Sequence, residues 1–229
     1  MACHAQIADQ VGLCMTCWGD VQFINAPICD VTGTPLPHDS DENILSIEAL
    51  TDPPHYDKAR AALRFNEHSR RLIHKLKYHD QQHLAPLMAK MMLRAAGDLL
   101  VAGCGDTVIC SVPLYHWRYF RRRFNQADLL ARQVASKGGS VYMPKLIKRI
   151  KATKTQVGLS REARQKNVKG AFEINAKWLK LARGKNIYIV DDVITTGATV
   201  NEIAGCLKAE GLGPVYILAF AKVIHQKVI

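Results

Sequence analysis

Long apolar runs are missing from this sequence. Nowhere do eighteen uncharged apolar residues follow one another, so no membrane insertion is expected. The opening residues are polar and carry cysteines, so no signal peptide is expected there. Seven cysteines cannot all pair, and without an export signal they point to a reducing compartment, the cytoplasm. No Gly-Lys-Ser/Thr follows a strand, which excludes a Walker loop, and Gly103-Cys104-Gly105 lacks the third glycine of a dinucleotide fingerprint. Acidic residues are scarce in one region. Between Ser111 and Gly170, fifteen Lys/Arg stand against Asp128 and Glu162, so this segment carries +13 and the rest of the chain −2. Solubility alone does not concentrate charge in this way, and an anionic partner is expected there.

What is present centres on Asn186 to Thr199. Ile187 to Val190 is an apolar, β-branched run, long enough for one buried strand of a parallel sheet. Asp191 and Asp192 follow, then the small-residue turn Thr195, Thr196, Gly197, Ala198 and Thr199, then a helical pattern from Val200 to Glu210 closed by Gly211. The glycine and the helix N-terminus form a cradle for a phosphate, which the three threonine hydroxyls would complete. The carboxylates would repel a phosphate but suit neighbouring hydroxyls such as a ribose diol. The plainer alternative is an acidic pair ending a strand before an ordinary surface helix.

The chain of 229 residues, 48% apolar, can bury one core and a small appendage. Cys3, Cys14, Cys17 and Cys29 lie in the first forty residues; Cys14/Cys17 is a C-x-x-C pair, and the set suits one four-cysteine zinc site, with His4 as a substitute ligand. Loose thiols in a leader segment are the alternative. Residues 39–55 read as an acidic, proline-bracketed connector. A strand is expected over Tyr56 to Phe65, then helices from Glu67 and over Leu84 to Leu100. His68, His74, His79 and His83 read as solvated.

Thr107 to Ser111 is a buried strand ending at Val112-Pro113-Leu114, where an α/β sheet presents its carboxyl edge. Trp117 to Gln126 interleaves arginines with aromatics, a pattern that holds phosphate, stacks bases, or merely caps a helix. Helix is expected over Ala127 to Val134 and a strand over Val141 to Ile150. Lys151 to Gly170, including Lys154, Arg161 and Arg164, is polar and basic, and reads as a lid, with a short helix over Leu159 to Asn167 capped by Ser160. Further strands are expected over Ala171 to Ile174 and Val215 to Ala221. The order predicts an α/β fold with a parallel sheet.

Asp191 to Thr199 resembles the phosphoribosyl pyrophosphate (PRPP) signature of the type I phosphoribosyltransferases. More narrowly, the chain is similar to the ComF family (competence protein F, the ComFC or GntX group). The resemblance rests on the cysteine-rich start, Leu76-Lys77-Tyr78, Val112-Pro113-Leu114, Arg123-Phe124-Asn125-Gln126, Thr155-Gln156 with Leu159 and Arg164, Asn167-Val168 with Gly170-Ala171-Phe172, and Val190 to Thr199. The start departs from the pattern, since Thr32 sits where a partner for Cys29 is expected.

The resemblance implies a type I phosphoribosyltransferase-like parallel sheet flanked by helices at 56–229, with a hood at 56–104, a core at 105–229 and a zinc-knuckle-like segment at 1–38. It implies PRPP bound as its Mg²⁺ complex, the 5′-phosphate on Thr195 to Thr199 and the ribose hydroxyls on Asp191 and Asp192. The pyrophosphate would lie at Val112, Pro113, Arg118 and Arg123, under lid residues Lys151, Lys154, Arg161 and Arg164. Phosphoribosyl transfer to a nitrogen acceptor is implied, though no residue stands out as general base and no base-reading constellation precedes Thr107. The family is also associated with uptake of single-stranded DNA in natural transformation, which implies DNA and a competence-machinery helicase as partners. A non-catalytic DNA-binding or coupling role therefore stands beside the enzymatic one.

Overall fold

Apolar residues at alternate positions build the central sheet of the protein, whose computed structural model describes residues 12–36, 45–76, 79–100, 106–115, 125–153 and 160–224. The strands are β1 (Lys58–Arg64), β2 (Thr107–Ser111), β3 (Val141–Tyr142), β4 (Ile147–Arg149), β5 (Phe172–Ile174), β6 (Asn186–Ile194) and β7 (Val215–Lys222). Five of them form one sheet in the order β1-β7-β6-β2-β3, every pairing parallel. β4 and β5 pair antiparallel as a separate hairpin.

Each face of the sheet has its own core. Ile187, Ile189, Ile217 and Ala219 face helix α8 (Ala198–Ala209) and the hairpin. Tyr188, Val190, Leu218 and Phe220 face α3 (Glu67–Leu76), α4 (Ala85–Ala96) and α5 (Gln126–Gly138). Burying an isoleucine is worth about 1.5–3 kcal/mol, and β6 contributes side chains of this kind to both cores, so each face depends on it.

The connections fix where a ligand can sit. After β2 the chain crosses to β3 through α5, on one face; after β6 it crosses to β7 through α8, on the other. β2 and β6 are neighbours, with Ser111 opposite Val190. Their carboxyl ends are therefore the topological switch point, where helices diverge and leave a crevice.

The N-terminal segment, with helices α1 (Met15–Gly19) and α2 (Ile47–Thr51), covers the outer edge of β1. Arg64 N donates to Gln22 O at 2.8 Å, Ile24 N to Ala62 O at 3.0 Å and Ala59 N to Val31 O at 2.7 Å. Asp30 fixes the same edge through Lys58 at 2.9 Å and Arg60 at 3.3 Å. Gly33 lies so close that a Cβ would come within 2.3 Å of Ala59 O. An unpaired strand edge is thereby removed from solvent.

Several expectations are corrected here. The strand expected over Val141 to Ile150 is two strands in different sheets, because Pro144 has no N–H for a ladder. β6 runs to Ile194 rather than stopping at Val190, so the aspartates lie within the strand. The helix expected over Leu84 to Leu100 is a 3₁₀ turn (His79–Leu84), α4, and a second 3₁₀ turn (Gly97–Leu99), broken where Gly97 takes φ 51°. Helix α7 (Ala176–Ala182), capped by Asn175, was not expected. β1, placed by sequence in a hood, is the parallel partner of β7 and belongs to the main sheet.

Candidate functional site

The end of β6 carries the site. Asp191 pairs opposite Ala219 and Ile194 opposite Lys222, so two carboxylates are held on rigid backbone rather than on a loop. Both are half-buried, and Asp192 N donates to Asp191 Oδ1 at 2.9 Å. Burial pushes the Asp191 carboxyl well above its usual range and the Asp192 charge pushes it further, while the Arg149 guanidinium of β4 acts in the opposite direction. Loss of hydration and a neighbouring like charge thus act on this carboxyl in the same direction. Beyond Thr195 and Thr196 the chain turns at Gly197, whose φ of 75° is the left-handed conformation that glycine tolerates. Gly197 caps α8 with no side chain, and the N-terminus of this twelve-residue helix follows at Ala198 and Thr199.

Val112 is tied beside this strand by its N–H, which donates to Val190 O at 2.9 Å. Asn125 holds the same loop: its Nδ2 donates to Val112 O at 2.9 Å while its Oδ1 accepts from Ala127 N, capping α5. The cap joins the loop to the helix that leaves it. Val112 and Pro113 thus adjoin Asp191, one strand away.

Two depressions flank the β6 end. One, about 520 Å³, is lined by Arg70, Arg71, His74 and Lys75 of α3 together with Asp192, Val193 and Thr195. The other, about 40 Å³, holds only a few waters. It is lined by Thr196, Gly197 and Ala198 and by Glu48 and Asp52 at α2. Arg70, Arg71 and Lys75 fell in the helix expected from Glu67, and Glu48 and Asp52 in the expected connector; none of the five was singled out as a site residue.

The structure brings Asp191, Asp192, Thr195, Thr196, Gly197, Ala198, Thr199, Val112 and Pro113 to one end of the sheet. Arg118, Arg123 and Lys154 lie outside the described residues, as does the rest of the aromatic and arginine run 116–124, and so does the Arg161 side chain. The expected lid is in part a packed element. Helix α6 (Arg161–Val168), capped by Ser160 and carrying Arg164, lies on α8 with Val168 in the core, and Gly170 N donates to Glu202 Oε1 at 2.6 Å. Lys151 extends over Gly170.

Of the four cysteines expected to hold zinc, Cys14, Cys17 and Cys29 lie within the described residues. Cys3 lies outside the described residues, and among those described no three His, Cys, Asp or Glu side chains gather to hold a metal. Cys14 and Cys17 share one knuckle turn, Cys17 N donating to Cys14 Sγ at 3.5 Å. Cys17 packs with the core on one face of the sheet, while Ile28 and Val31, near Cys29 in the chain, pack with the core on the other. Among the described residues, no helix is long and apolar enough to cross a membrane.

Residues 1–46 match the double zinc ribbon domain, which supports structural zinc in this region. Over most of its length the chain is similar to the DNA utilization protein YhgH of Salmonella typhimurium, 31% identical over 218 residues covering 93% of this chain and 91% of that one. It is likewise 31% identical to Competence protein F of Haemophilus influenzae over 213 residues, 92% and 90% of the two chains. YhgH of Escherichia coli K12 is 29% identical over 220 residues, 93% and 91%.

The raised Asp191 pKa has a stability consequence. The folded protein keeps the Asp191 proton longer than the unfolded chain does, so stability is lost as pH rises from the ordinary carboxylate range through the raised value. Asp191→Asn, which keeps the Oδ1 acceptor for Asp192 N, should therefore raise Tm at pH 8 and do so less at pH 4.5. Thermal melts of both proteins across that range check it; a gain that is largest at acid pH would contradict it.

Proposed function

The chain belongs to the competence protein F family, and on that premise we propose that it binds a 5-phosphoribosyl ligand, PRPP, in the service of DNA utilisation. The observation that carries the reading is the contiguity of Asp191, Asp192 and the Thr195–Thr199 turn at the switch point of the sheet. In this reading Asp191 and Asp192 accept hydrogen bonds from the ribose hydroxyls. The turn and the N-terminus of α8 receive the 5′-phosphate. The Val112-Pro113 loop, held by Asn125, takes the pyrophosphate end, with Arg118 and Arg123. Mg²⁺ bound with the pyrophosphate would spread its negative charge. Transfer to a nitrogen acceptor then forms a C–N bond at the anomeric carbon as the C–O bond to pyrophosphate breaks, with stabilisation mainly electrostatic.

The names of the relatives and the cationic depression favour a second polyanion, single-stranded DNA. Arg70, Arg71 and Lys75 line a cavity that opens beside Asp192 rather than over the Thr195–Thr199 turn alone. A phosphodiester backbone carries the repeated charge that such a row of cations can contact. The helicase partner implied by the resemblance would act on the same strand.

Two experiments address the ligand. Replacing both Asp191 and Asp192 by Asn should weaken PRPP binding by roughly 10- to 100-fold in titration calorimetry with Mg²⁺, since two hydrogen bonds lose their charge assistance. Unchanged affinity in a folded double variant would sink the phosphoribosyl reading. Glu48 and Asp52 bring negative charge to the loop that receives the phosphate. Glu48→Gln with Asp52→Asn should tighten PRPP by roughly 5- to 20-fold at low salt, and weaker binding would mean that those carboxylates help rather than oppose.

DNA is tested by oligonucleotide affinity across a salt series. Changing Arg70, Arg71 and Lys75 together to Ala should reduce the slope of log K against log salt by about 0.7 for each phosphate contact removed. An unaltered slope would place the DNA elsewhere. Competition by PRPP would put both ligands in one cleft.

A further inference from the structure

Each half of a double zinc ribbon needs its own thiolates or imidazoles, and among the described residues the half around Cys29 does not have them. Thr32 stands at the position that would complete a C-x-x-C with Cys29, and the residue that closes on the same spot is Ser46. The local turn survives without the metal ligands. Thr32 N and Ser46 N donate to Cys29 Sγ at 3.4 and 3.2 Å. Thr32 Oγ1 lies 3.3 Å from Ser46 Oγ and donates to Thr34 Oγ1 at 3.0 Å. One thiol with neutral hydroxyls is a poor donor set for zinc, which takes sulfur, imidazole or carboxylate in structural sites.

A cation is present at this spot, but it is covalently part of the chain. Lys222 at the end of β7 is only 8% exposed, and its Nζ donates to Thr32 O at 2.6 Å and Thr34 Oγ1 at 2.8 Å. A buried ammonium is tolerated only when its donors are satisfied, and the knuckle supplies a carbonyl and a hydroxyl. The same ammonium would repel a divalent ion placed beside Cys29. We infer that the Cys29 knuckle is metal-free, with Lys222 doing by hydrogen bonds the cross-linking that a zinc ion does in a ribbon. Lys222 is the register partner of Ile194, and Thr32 lines the small depression against Thr196 to Ala198. The zinc-free half therefore forms the wall beside the signature turn.

The full-length chain, purified without chelator, tests this by metal analysis and amide exchange. Zinc content should be the same in wild type and Cys29→Ser, whereas Cys14→Ser with Cys17→Ser removes whatever zinc the other half holds. The Thr32 and Ser46 amides should keep their exchange protection in the presence of a strong zinc chelator, and in Lys222→Met should exchange at least roughly tenfold faster. A fall in zinc on Cys29→Ser, or chelator-dependent loss of protection at those two amides, would overturn the inference. Should Lys222→Met fail to fold, those two measurements decide it alone.

Discussion

Parallel pairing of β6 with β2 on one side and β7 on the other is the constraint from which the rest of the molecule follows. It buries Ile187 to Val190 on both faces and leaves the strand with no free edge. A strand so held can carry two adjacent carboxylates at its carboxyl end without relaxing away from their mutual repulsion. Asp191 and Asp192 are accordingly fixed in place before any ligand arrives, and the cost of holding them is met by the sheet.

Much of this arrangement was legible in the residues. The β-branched run, the acidic pair and the glycine turn act through local backbone preference, and β6, Gly197 and α8 stand where those preferences put them. The Ser160 cap and the strand Thr107–Ser111 were legible for the same reason. What escaped the reading depends on contacts distant in sequence. The extension of β6 to Ile194 is set by its β7 partners Ala219, Ala221 and Lys222. Membership of β1 in the main sheet is decided by a strand that ends the described fold. The Arg149 charge acts on Asp191 only because the hairpin folds over that face. Gly97, Pro144 and Asn175 were local signals that went unread.

The site is electrostatically lopsided. α3 presents Arg70, Arg71 and Lys75 on the Asp192 side, while α2 presents Glu48 and Asp52 on the Thr196–Ala198 side. A ligand with one compact anionic end and a longer polyanionic one would be oriented by such a field before making a single hydrogen bond. The N-terminal segment is thus more than a cover for the β1 edge: its second half brings Glu48 and Asp52 to the signature turn.

The bond between Lys222 and Thr32 joins residues 190 positions apart. β1 likewise finds its parallel partner in β7, and Asp57 accepts from Val215 N across 158 positions. Contacts of such separation form late and slowly, because the loop between them must close first. During synthesis the ribbon half around Cys29 emerges early yet cannot be completed, and β1 offers an open edge until β7 leaves the ribosome. The two ends of the fold therefore form one cooperative unit, and the interval before they meet is when a nascent chain is most exposed to pairing with its neighbours.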